Sequence, residues 1–532
     1  MKKLLAHLVI ISLVVLGPMF VSQISFAFDN KAHTTMSERA TDASSLDNFL
    51  KTVLRYEFPE GLLQPGLAGK SVTRLIQDGT LLEDSLHVLR VLNHFHNPEL
   101  PWDQAGLWPP NLPTSNPLGD SSVVWSQNAN QGYGGKASWH QAREAYFEAL
   151  TATDPFARKV RWAETFRFLG HAIHHIQDAA APSHTRNDSH LPGDSDQFHS
   201  FAERAEILAL INNQNLLPAS SLDPSFLGNQ PSPDSRYPVP IARLLDTTAG
   251  NIGATALGNG NGIGVAEYSN ANFFSDDTIF PETFSYPGLA NLQVSTPELD
   301  PGTGTKKIYL YFKPGFGETN YRLAQASALR KITNTAIATD IGLDYKVFTD
   351  YAFKLFPRAI GYSAGLIDYF FRGKIDSTLW PTGYLWVPWD QRPSSIRVEN
   401  VSVKTDTTNE QGGGGTMQLV LLHSWSYAPV EPPKIIASHP VSVGPGTQTI
   451  VFPFDSLPFP STFPSPTNGS HGYVYFGMLV YKGALGQESE AVVADSYCID
   501  PNSGFRYDRW YVFEHAGFLD GEPIESAYMS EC

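Results

Sequence analysis

The sequence predicts a mainly α-helical domain followed by a C-terminal domain that is an all-β sandwich. Two patterns carry this prediction: apolar residues recur at helical spacing over the first two thirds of the chain, and apolar and polar residues alternate after about residue 390. With 532 residues, 42% of them hydrophobic and 12% aromatic, the chain is long enough to form more than one packed core.

The first 27 residues are predicted to be a secretory signal peptide. A pair of lysines precedes an apolar run from Leu4 to Leu16, and Ser25 and Ala27 are small residues at the positions that a signal peptidase reads. A membrane anchor is the alternative, but the run is shorter than the roughly 20 apolar residues that a spanning helix needs. We therefore expect a mature protein that begins at Phe28 and is secreted or periplasmic.

The mature chain is predicted to be strongly acidic. The leader holds two of the 37 basic residues and no acidic ones, which leaves 35 basic residues against 53 acidic ones. This balance disfavours electrostatic attraction to nucleic acid or anionic lipid. It permits a phosphate substrate if bound cations reverse the field locally.

Residues 28–390 are predicted to form the helical domain, with long loop insertions at 102–135 and 217–289. The apolar segment near its end contains charged residues and Pro357, so it is predicted to be a core helix and not a membrane span. The periodic segments are 45–56, 138–151, 159–178, 199–213, 321–339 and 345–371.

Residues 391–532 are predicted to form the β-sandwich. The chain's two cysteines, Cys498 and Cys532, are expected to tie its end to this domain, with free thiols as the alternative. The β-rich runs are 396–403, 417–422, 449–454, 473–481 and 491–499.

The residues that indicate chemistry are concentrated within about 30 positions. His174 and Asp178 are four apart on a predicted helix, so both side chains can hold one ion, and Asp178 can bridge two. A proline ends this helix, and His184 follows where the chain turns back. His199 and Glu203 repeat the four-residue spacing.

One such pair is weak evidence, because two polar neighbours on a solvated helix face show the same spacing. Five ligand-type residues outweigh that interpretation. Imidazole nitrogen and carboxylate oxygen suit zinc, and a site without cysteine is typical of catalysis. His171 and His175 point about 100° or more away from His174 around the helix, so they are predicted to pack or to hydrogen-bond.

The ordered motif Gly170-x-x-x-His174-x-x-x-Asp178, Pro182-x-His184 and His199-x-x-x-Glu203 resembles the metal-binding core of the bacterial zinc-dependent phospholipase C family. That family shares a superfamily with the S1/P1 nucleases. The resemblance covers residues 28–213 well. The rest of the helical domain resembles the family only in having helices of the expected kind. It implies that all the His, Asp and Glu residues of the motif bind metal.

The resemblance extends to the start of the mature chain. The family uses the freed amine and carbonyl of its first residue and a nearby histidine, and Phe28 and His33 occupy these places. The family commonly has Trp where this chain has Phe28. The stretch Asn93-His94-Phe95-His96 resembles the family's His-Phe-aromatic motif, with His94 as the ligand.

The acidic ligand before His94 is either Asp84, ten residues earlier, or Asp78, sixteen residues earlier. Asp84 is favoured, although the family's spacing varies between these limits. The ligand set that the resemblance implies, for three zinc ions, is Phe28, His33, Asp84, His94, His174, Asp178, His184, His199 and Glu203.

The activity that the resemblance implies is hydrolysis of phosphodiesters, with phospholipids favoured as substrates. Zinc lowers the pKa of bound water from 15.7 toward about 7, and the resulting hydroxide attacks phosphorus in line. Asp84 would bind metal and also orient or deprotonate the water. Arg186 or His190 could border the phosphate of the substrate.

An S1/P1-type nuclease is the first alternative. Against it, that branch pairs its last histidine with Asp and not with a residue such as Glu203, and its Gly-Gly-Asn motif is not visible. The second alternative is a secreted binding protein without catalytic activity, in which the bound metal only stabilises the helical domain. A related toxin-type phospholipase C binds membranes through a C-terminal β-sandwich and calcium, which implies peripheral membrane contact here. No matching acidic-loop pattern is visible, so only the architecture carries over.

Overall fold

The computed structural model describes most of the chain between Asn30 and Pro523. The residues outside this description are 1–29, 56, 66–68, 86–88, 109–114, 190–195, 229, 280–283, 301–303, 327–340, 383–394, 406–407, 426–433, 454–472, 500–505, 508–511, 514–517, 520–521 and 524–532. The predicted signal peptide, Phe28, the predicted domain boundary between 390 and 391, His190 and Cys532 therefore lie outside the described residues, as does the side chain of Cys498.

Helices dominate the N-terminal part, as the sequence predicts. The described α-helices are α1 Asn30–Ala43, α2 Leu46–Thr52, α3 Val72–Ser85, α4 Ser122–Gln127, α5 Trp139–Thr151, α6 Pro155–Ala179, α7 Pro182–Thr185, α8 Gln197–Ala202, α9 Ala205–Asn212, α10 Ala242–Leu245, α11 Val265–Asn272 and α12 Tyr345–Phe370. None of the helices in the described ranges combines the length and the apolarity that crossing a membrane requires.

Helix α6 is the central element, and its start follows from local sequence. The Asp154 side chain accepts a hydrogen bond from the Ala157 backbone N–H at 2.6 Å, and Pro155 occupies the first helical position. Both features favour a helix start because they accommodate backbone groups that have no partner within the helix. The second half of α6 is buried almost residue by residue, since α1, α3, α5 and α12 pack against it.

Two predicted helices are wrong in detail. The segment predicted as one helix over 199–213 is divided into α8 and α9, with Glu203 in the junction. The segment predicted as a helix over 321–339 contains a short strand, Ala324–Ala326, in its described part. That strand belongs to a small antiparallel sheet formed by β1 Leu292–Val294, β2 Glu298–Leu299, β3 Lys306–Phe312, β4 Ala324–Ala326 and β5 Ile341–Gly342.

The C-terminal part is a sandwich of two antiparallel sheets, in agreement with the predicted fold class. One sheet has the order β10-β7-β6, and the other has β13-β12-β11-β8-β9 with β14 also paired to β11. The strands are β6 Lys374–Thr382, β7 Ser395–Lys404, β8 Gly412–Trp425, β9 Lys434–Val443, β10 Gln448–Pro453, β11 Tyr473–Leu485, β12 Glu488–Ile499, β13 Arg506–Tyr507, β14 Val512–Phe513, β15 Phe518–Leu519 and β16 Glu522–Pro523.

The sheet that contains β8, β11 and β12 has buried residues on both faces. Alternate residues such as Leu479 and Val493 face the core between the two sheets. Their neighbours Val480 and Val492 belong to the hydrophobic core of the helical part. This alternation follows from the two-residue period of a strand, and it packs the sandwich directly onto the helices.

Candidate metal centre

Helices α3 and α6 cross with their backbones in contact at Gly79 and Gly170. A Cβ atom added to Gly79 would lie 2.0 Å from a carbonyl oxygen of α6, and one added to Gly170 would lie 2.2 Å from a carbonyl oxygen of α3. No side chain fits at such distances. This close approach sets the last turn of α3, with Asp84, beside the C-terminal part of α6, with His174.

Asp178 is the centre of a buried group of histidines. His33 Nε2 lies 3.3 Å from Asp178 Oδ1, while His174 Nε2 and His94 Nδ1 lie 2.9 and 3.1 Å from Asp178 Oδ2. Neither oxygen of Asp178 has a hydrogen bond of acceptable geometry within the described part of the chain. Buried polar atoms in native proteins are rarely left in that condition, so the arrangement fits a bound cation.

Asp84 completes this group, and Asp78 does not. Asp84 Oδ1 lies 3.4 Å from His94 Nδ1 and 3.5 Å from His174 Nε2. Asp78 lies in the middle of the same helix, where it forms an ion pair with Lys70 at 2.5 Å. Of the two acidic residues that the sequence left open, the structure thus brings Asp84 to the histidines.

In four of the predicted histidines, Nδ1 lies next to an oxygen acceptor that is not itself a candidate ligand atom. We call this nitrogen the outer nitrogen of the ring. Neutral imidazole carries a single N–H, so an outer acceptor holds the proton on Nδ1 and leaves Nε2 as the atom that can bind metal. The pairs are His33 Nδ1 with Gln177 Oε1 at 2.6 Å, His174 Nδ1 with the Thr80 carbonyl oxygen at 2.9 Å, His184 Nδ1 with the His94 carbonyl oxygen at 3.1 Å, and His199 Nδ1 with Asp196 Oδ2 at 3.4 Å.

His184, His199 and Glu203 lie beside the Asp178 group. The ring centroids of His184 and His199 are 5.3 Å apart, and His184 Nδ1 is 3.8 Å from Asp178 Oδ2. Glu203 Oε1 accepts a hydrogen bond from the Ala32 backbone N–H at 2.7 Å. Because Ala32 precedes His33, this contact ties the start of the described chain to the same region.

The described residues contain three groups whose ligand atoms all lie within 4.8 Å of one another. Each group combines imidazole nitrogen with carboxylate oxygen, the donors that suit zinc, so the region could hold metal ions. The three groups are His33 with His174 and Asp178, Asp84 with His94 and His174, and Glu83 with His94 and His175. His184, His199 and Glu203 do not form such a group.

Burial and neighbouring charges move the pKa values of the two central aspartates in opposite directions. Burial raises the pKa of Asp178, but His174 and His184 outweigh burial and hold it well below its usual range. For Asp84 burial dominates over His94, and the pKa lies well above its usual range. Burial lowers the pKa of His174 to about 3, so its ring is neutral, the form that binds metal.

Glu83, which is fully buried next to Asp84, is not among the residues that the sequence motifs predict. Its carboxylate accepts hydrogen bonds from Arg90 Nη2 at 2.6 Å and from Trp125 Nε1 at 3.0 Å, and it also contacts His171 Nδ1. His171 therefore hydrogen-bonds as predicted. The available signal was the pair His171 and His175, four apart on one face of a buried helix and in need of an acidic partner.

Arg186 is a predicted neighbour of the substrate phosphate. Its guanidinium forms hydrogen bonds within the protein. It donates hydrogen bonds to Thr278 Oγ1 and to the carbonyl oxygens of Asn270 and Tyr286, at 2.8 to 2.9 Å. These contacts are structural, because they join α7 to the segment around α11. Nothing in them leaves the guanidinium oriented toward a phosphate.

No protein family and no curated protein matches this chain. Among solved structures, the chain is similar to "Alpha Toxin from Clostridium Absonum", with 10% identity and a TM-score of 0.31 over 88% of this chain and 97% of that chain. It is also similar to Clostridium perfringens alpha-toxin from avian strain SWCP, with 11% identity and a TM-score of 0.27 over the same shares. Values this low assign no activity to the chain.

Proposed function

We propose that the chain is an exported, zinc-dependent phosphodiester hydrolase of the phospholipase C type. The observation that supports this best is the group around Asp178, where three histidine nitrogens lie within 3.3 Å of carboxylate oxygens that lack hydrogen bonds. Cations held among these atoms would satisfy them. A donor set of nitrogen and oxygen without sulfur suits Zn²⁺.

The proposed ligands are those that the sequence motif indicates. They hold three ions in this proposal, and the N-terminal residue contributes its freed amine and carbonyl. The full set is Phe28, His33, Asp84, His94, His174, Asp178, His184, His199 and Glu203.

Zinc held by these residues would supply a water molecule of lowered pKa and would neutralise charge on a phosphate ester. The side chain of Asp84 is 12% exposed, whereas that of Asp178 is fully buried. Asp84 can therefore reach a water molecule, orient it and take its proton on the carboxylate.

The outer hydrogen bonds of the histidines would contribute by keeping the site rigid. The Thr80 carbonyl oxygen and Gln177 Oε1 fix the rings of His174 and His33 before any substrate arrives. A site whose donors need no reorganisation stabilises a transition state better than one that must rearrange. This chain places those acceptors on α3 and α6, which pack tightly.

The test uses the protein that begins at Phe28. Metal analysis should find about three zinc ions per chain, in line with the number that the resemblance implies. Phosphatidylcholine should be hydrolysed at the bond between glycerol and phosphate, with activity lost on chelation and restored by zinc.

Three outcomes would redirect or reject the proposal. Faster cleavage of single-stranded DNA than of phosphatidylcholine would make the protein a nuclease. Bound zinc without hydrolysis of any phosphodiester would indicate a metal-stapled binding protein. Failure to bind zinc at all would reject the metal centre.

A further inference from the structure

Glu83 is a buried carboxylate next to the proposed metal centre that the ligand set leaves without a role. It and Arg90 are both fully buried, and their ion pair is 2.6 Å long. Arg90 is fixed in turn by the carbonyl oxygen of Gly135 at 3.0 Å, and it lies 5.1 Å from the ring centroid of Trp125. The carboxylate therefore has a defined position that does not depend on a metal ion.

The second oxygen of Glu83 faces two histidines. Glu83 Oε1 is 3.3 Å from His175 Nε2 and 3.7 Å from His94 Nε2. On the opposite side of the His94 ring, Nδ1 lies 3.1 Å from Asp178 and 3.4 Å from Asp84. The His94 ring thus bridges Glu83 and the Asp178 group, with one nitrogen toward each.

Glu83 itself is poorly suited to bind a cation, although it lies in one of the three ligand groups. Arg90 and Trp125 already donate hydrogen bonds to its carboxylate. A guanidinium stays charged in proteins, and a fixed positive charge 2.6 Å from the carboxylate would repel a second cation. Glu83 is better placed to act on a ligand than to be one.

His94 is oriented differently from the other predicted histidine ligands. In His33, His174 and His184 the outer nitrogen is Nδ1, which lies near a neutral oxygen acceptor. In His94 the outer nitrogen is Nε2, and the acidic group beside it is Glu83. With a cation on the Nδ1 side, the carboxylate 3.7 Å from Nε2 favours a proton on that nitrogen by charge.

We propose that Glu83 is a positioning residue that keeps a proton on Nε2 of His94, so that Nδ1 is the atom presented to the metal. The inference rests on the proposed metal centre and adds a residue from outside its ligand set. A carboxylate that contacts the outer nitrogen of a metal-binding histidine fixes the orientation of the ring, and losing such a group costs 10–100-fold in metal affinity.

The chain contains a matched control for a purely structural role. Glu488 is also a buried carboxylate that accepts hydrogen bonds from a tryptophan indole, Trp139 at 2.8 Å, and from an arginine, Arg143 at 2.7 Å. It lies where the sandwich meets the helices and has no contact with the histidines of the centre. Glu83→Gln and Glu488→Gln therefore remove the same kind of anchor in two places.

The experiment compares zinc affinity by competition with a chromophoric chelator, and it measures thermal unfolding of the metal-free proteins. Both variants should unfold at lower temperature than the wild type. Glu83→Gln should also bind zinc about 10–100-fold more weakly at one site, whereas Glu488→Gln should match the wild type. Zinc affinity in Glu83→Gln that is equal to that of Glu488→Gln would overturn the inference.

Two further measurements keep the inference testable if Glu83→Gln does not fold. The double variant Glu83→Gln/Arg90→Met removes both charges, which avoids an unpaired buried cation, and it should bind zinc as weakly. In the zinc-loaded wild type, a ¹H–¹⁵N spectrum of the imidazoles should show a proton on His94 Nε2. A bare Nε2 would reject the role of Glu83, and failure of the wild type to bind zinc would reject the proposed function as well.

Discussion

At the scale of single residues, Asp178 determines how the candidate centre is arranged. Its two oxygens lie close to histidine nitrogens from three separate parts of the chain, those of His33, His94 and His174. Neither oxygen has a hydrogen bond of good geometry in the described structure. Burying these oxygens without hydrogen bonds costs free energy of folding, and a bound cation would remove that cost.

Asp178→Asn should abolish the binding of at least one zinc ion and lower phosphodiester hydrolysis at least about 100-fold, because a neutral amide is a poor zinc ligand. Atomic absorption measures the zinc content, and release of phosphocholine from phosphatidylcholine measures turnover. Asp350→Asn is the control, since it removes one carboxylate charge from an ion pair with Arg322 outside the centre. Full zinc content and turnover in Asp178→Asn would contradict the assignment.

The start of the mature chain offers a second prediction at this scale. Helix α1 begins at Asn30, two residues after the predicted N-terminus in the sequence, and the Ala32 N–H donates to Glu203 of the candidate centre. A form with one extra residue before Phe28 replaces the ligand amine with an amide, so it should bind one zinc ion at least about tenfold more weakly. Chelator competition before and after aminopeptidase treatment measures this. Unchanged affinity would remove Phe28 from the ligand set.

Spacing along the chain was enough to predict the residues of the centre that lie on or near α6, because His174, Asp178 and His184 are local neighbours. It favoured Asp84 but did not exclude Asp78, since both lie on α3 and only the crossing of α3 with α6 decides which one reaches the histidines. Glu83 was missed for the same reason. Its partners come from three different segments, which contain Arg90, Trp125 and His171, so no spacing around Glu83 itself indicates them.

At the scale of elements, the crossing of α3 and α6 positions the centre. Gly79 and Gly170 allow the two backbones to touch, and the Thr80 carbonyl oxygen then accepts the hydrogen bond from His174 Nδ1. The sequence motif contains Gly170, and the structure gives the physical reason for glycine there. A larger residue would separate the helix that carries Asp84 from the helix that carries Asp178.

Gly170→Ala should therefore lower the free energy of unfolding by about 3 kcal/mol, at the upper end of the usual cost of overpacking, since the new Cβ meets backbone that cannot rotate away. Zinc affinity should fall with it. Denaturant unfolding and chelator competition measure both. Gly132→Ala is the control, because a Cβ atom there would have no atom within 4 Å. Equal stability of the two variants would mean that the helices can separate without cost.

Local periodicity identified α2, α5, α6, α8, α9 and α12 but not α1 or α3, and it did not show where a helix is interrupted. Asp196 caps α8 by accepting hydrogen bonds from the N–H groups of Phe198 and His199 at 2.6 and 3.2 Å. The helix then ends before Glu203, so His199 and Glu203 do not share one continuous helix. The apolar spacing from 199 to 213 is compatible with either arrangement, and tertiary contacts decide between them.

At the scale of the whole molecule, the sandwich and the helices share a buried ionic cluster. Glu488, on β12, accepts hydrogen bonds from Arg143 and Trp139 of α5 and from Arg372, which follows α12. The strand β6, which precedes the predicted domain boundary at 390, pairs with β7, which follows it. These contacts join the two parts through buried charges and through strand pairing.

The same cluster predicts a pH dependence of stability. Burial raises the pKa of Glu488, but Arg143 and Arg372 outweigh burial and lower it from 4.5 to about 2. A carboxyl group with a lowered pKa in the folded state stabilises the fold fully above its unfolded pKa, and that stability is lost as pH falls from about 4.5 toward 2. A shift of this size corresponds to about 3 kcal/mol.

Wild type and Glu488→Gln should therefore differ in unfolding free energy by about 3 kcal/mol at pH 7, because the amide leaves two buried arginines with one fewer charged partner. The difference should shrink steadily between pH 4.5 and pH 2, where the wild-type carboxylate takes up its proton. Denaturant titrations of both metal-free proteins across this range measure it, and subtracting the two curves cancels all other carboxyl groups. A difference that stays constant with pH would show that Glu488 acts through packing alone.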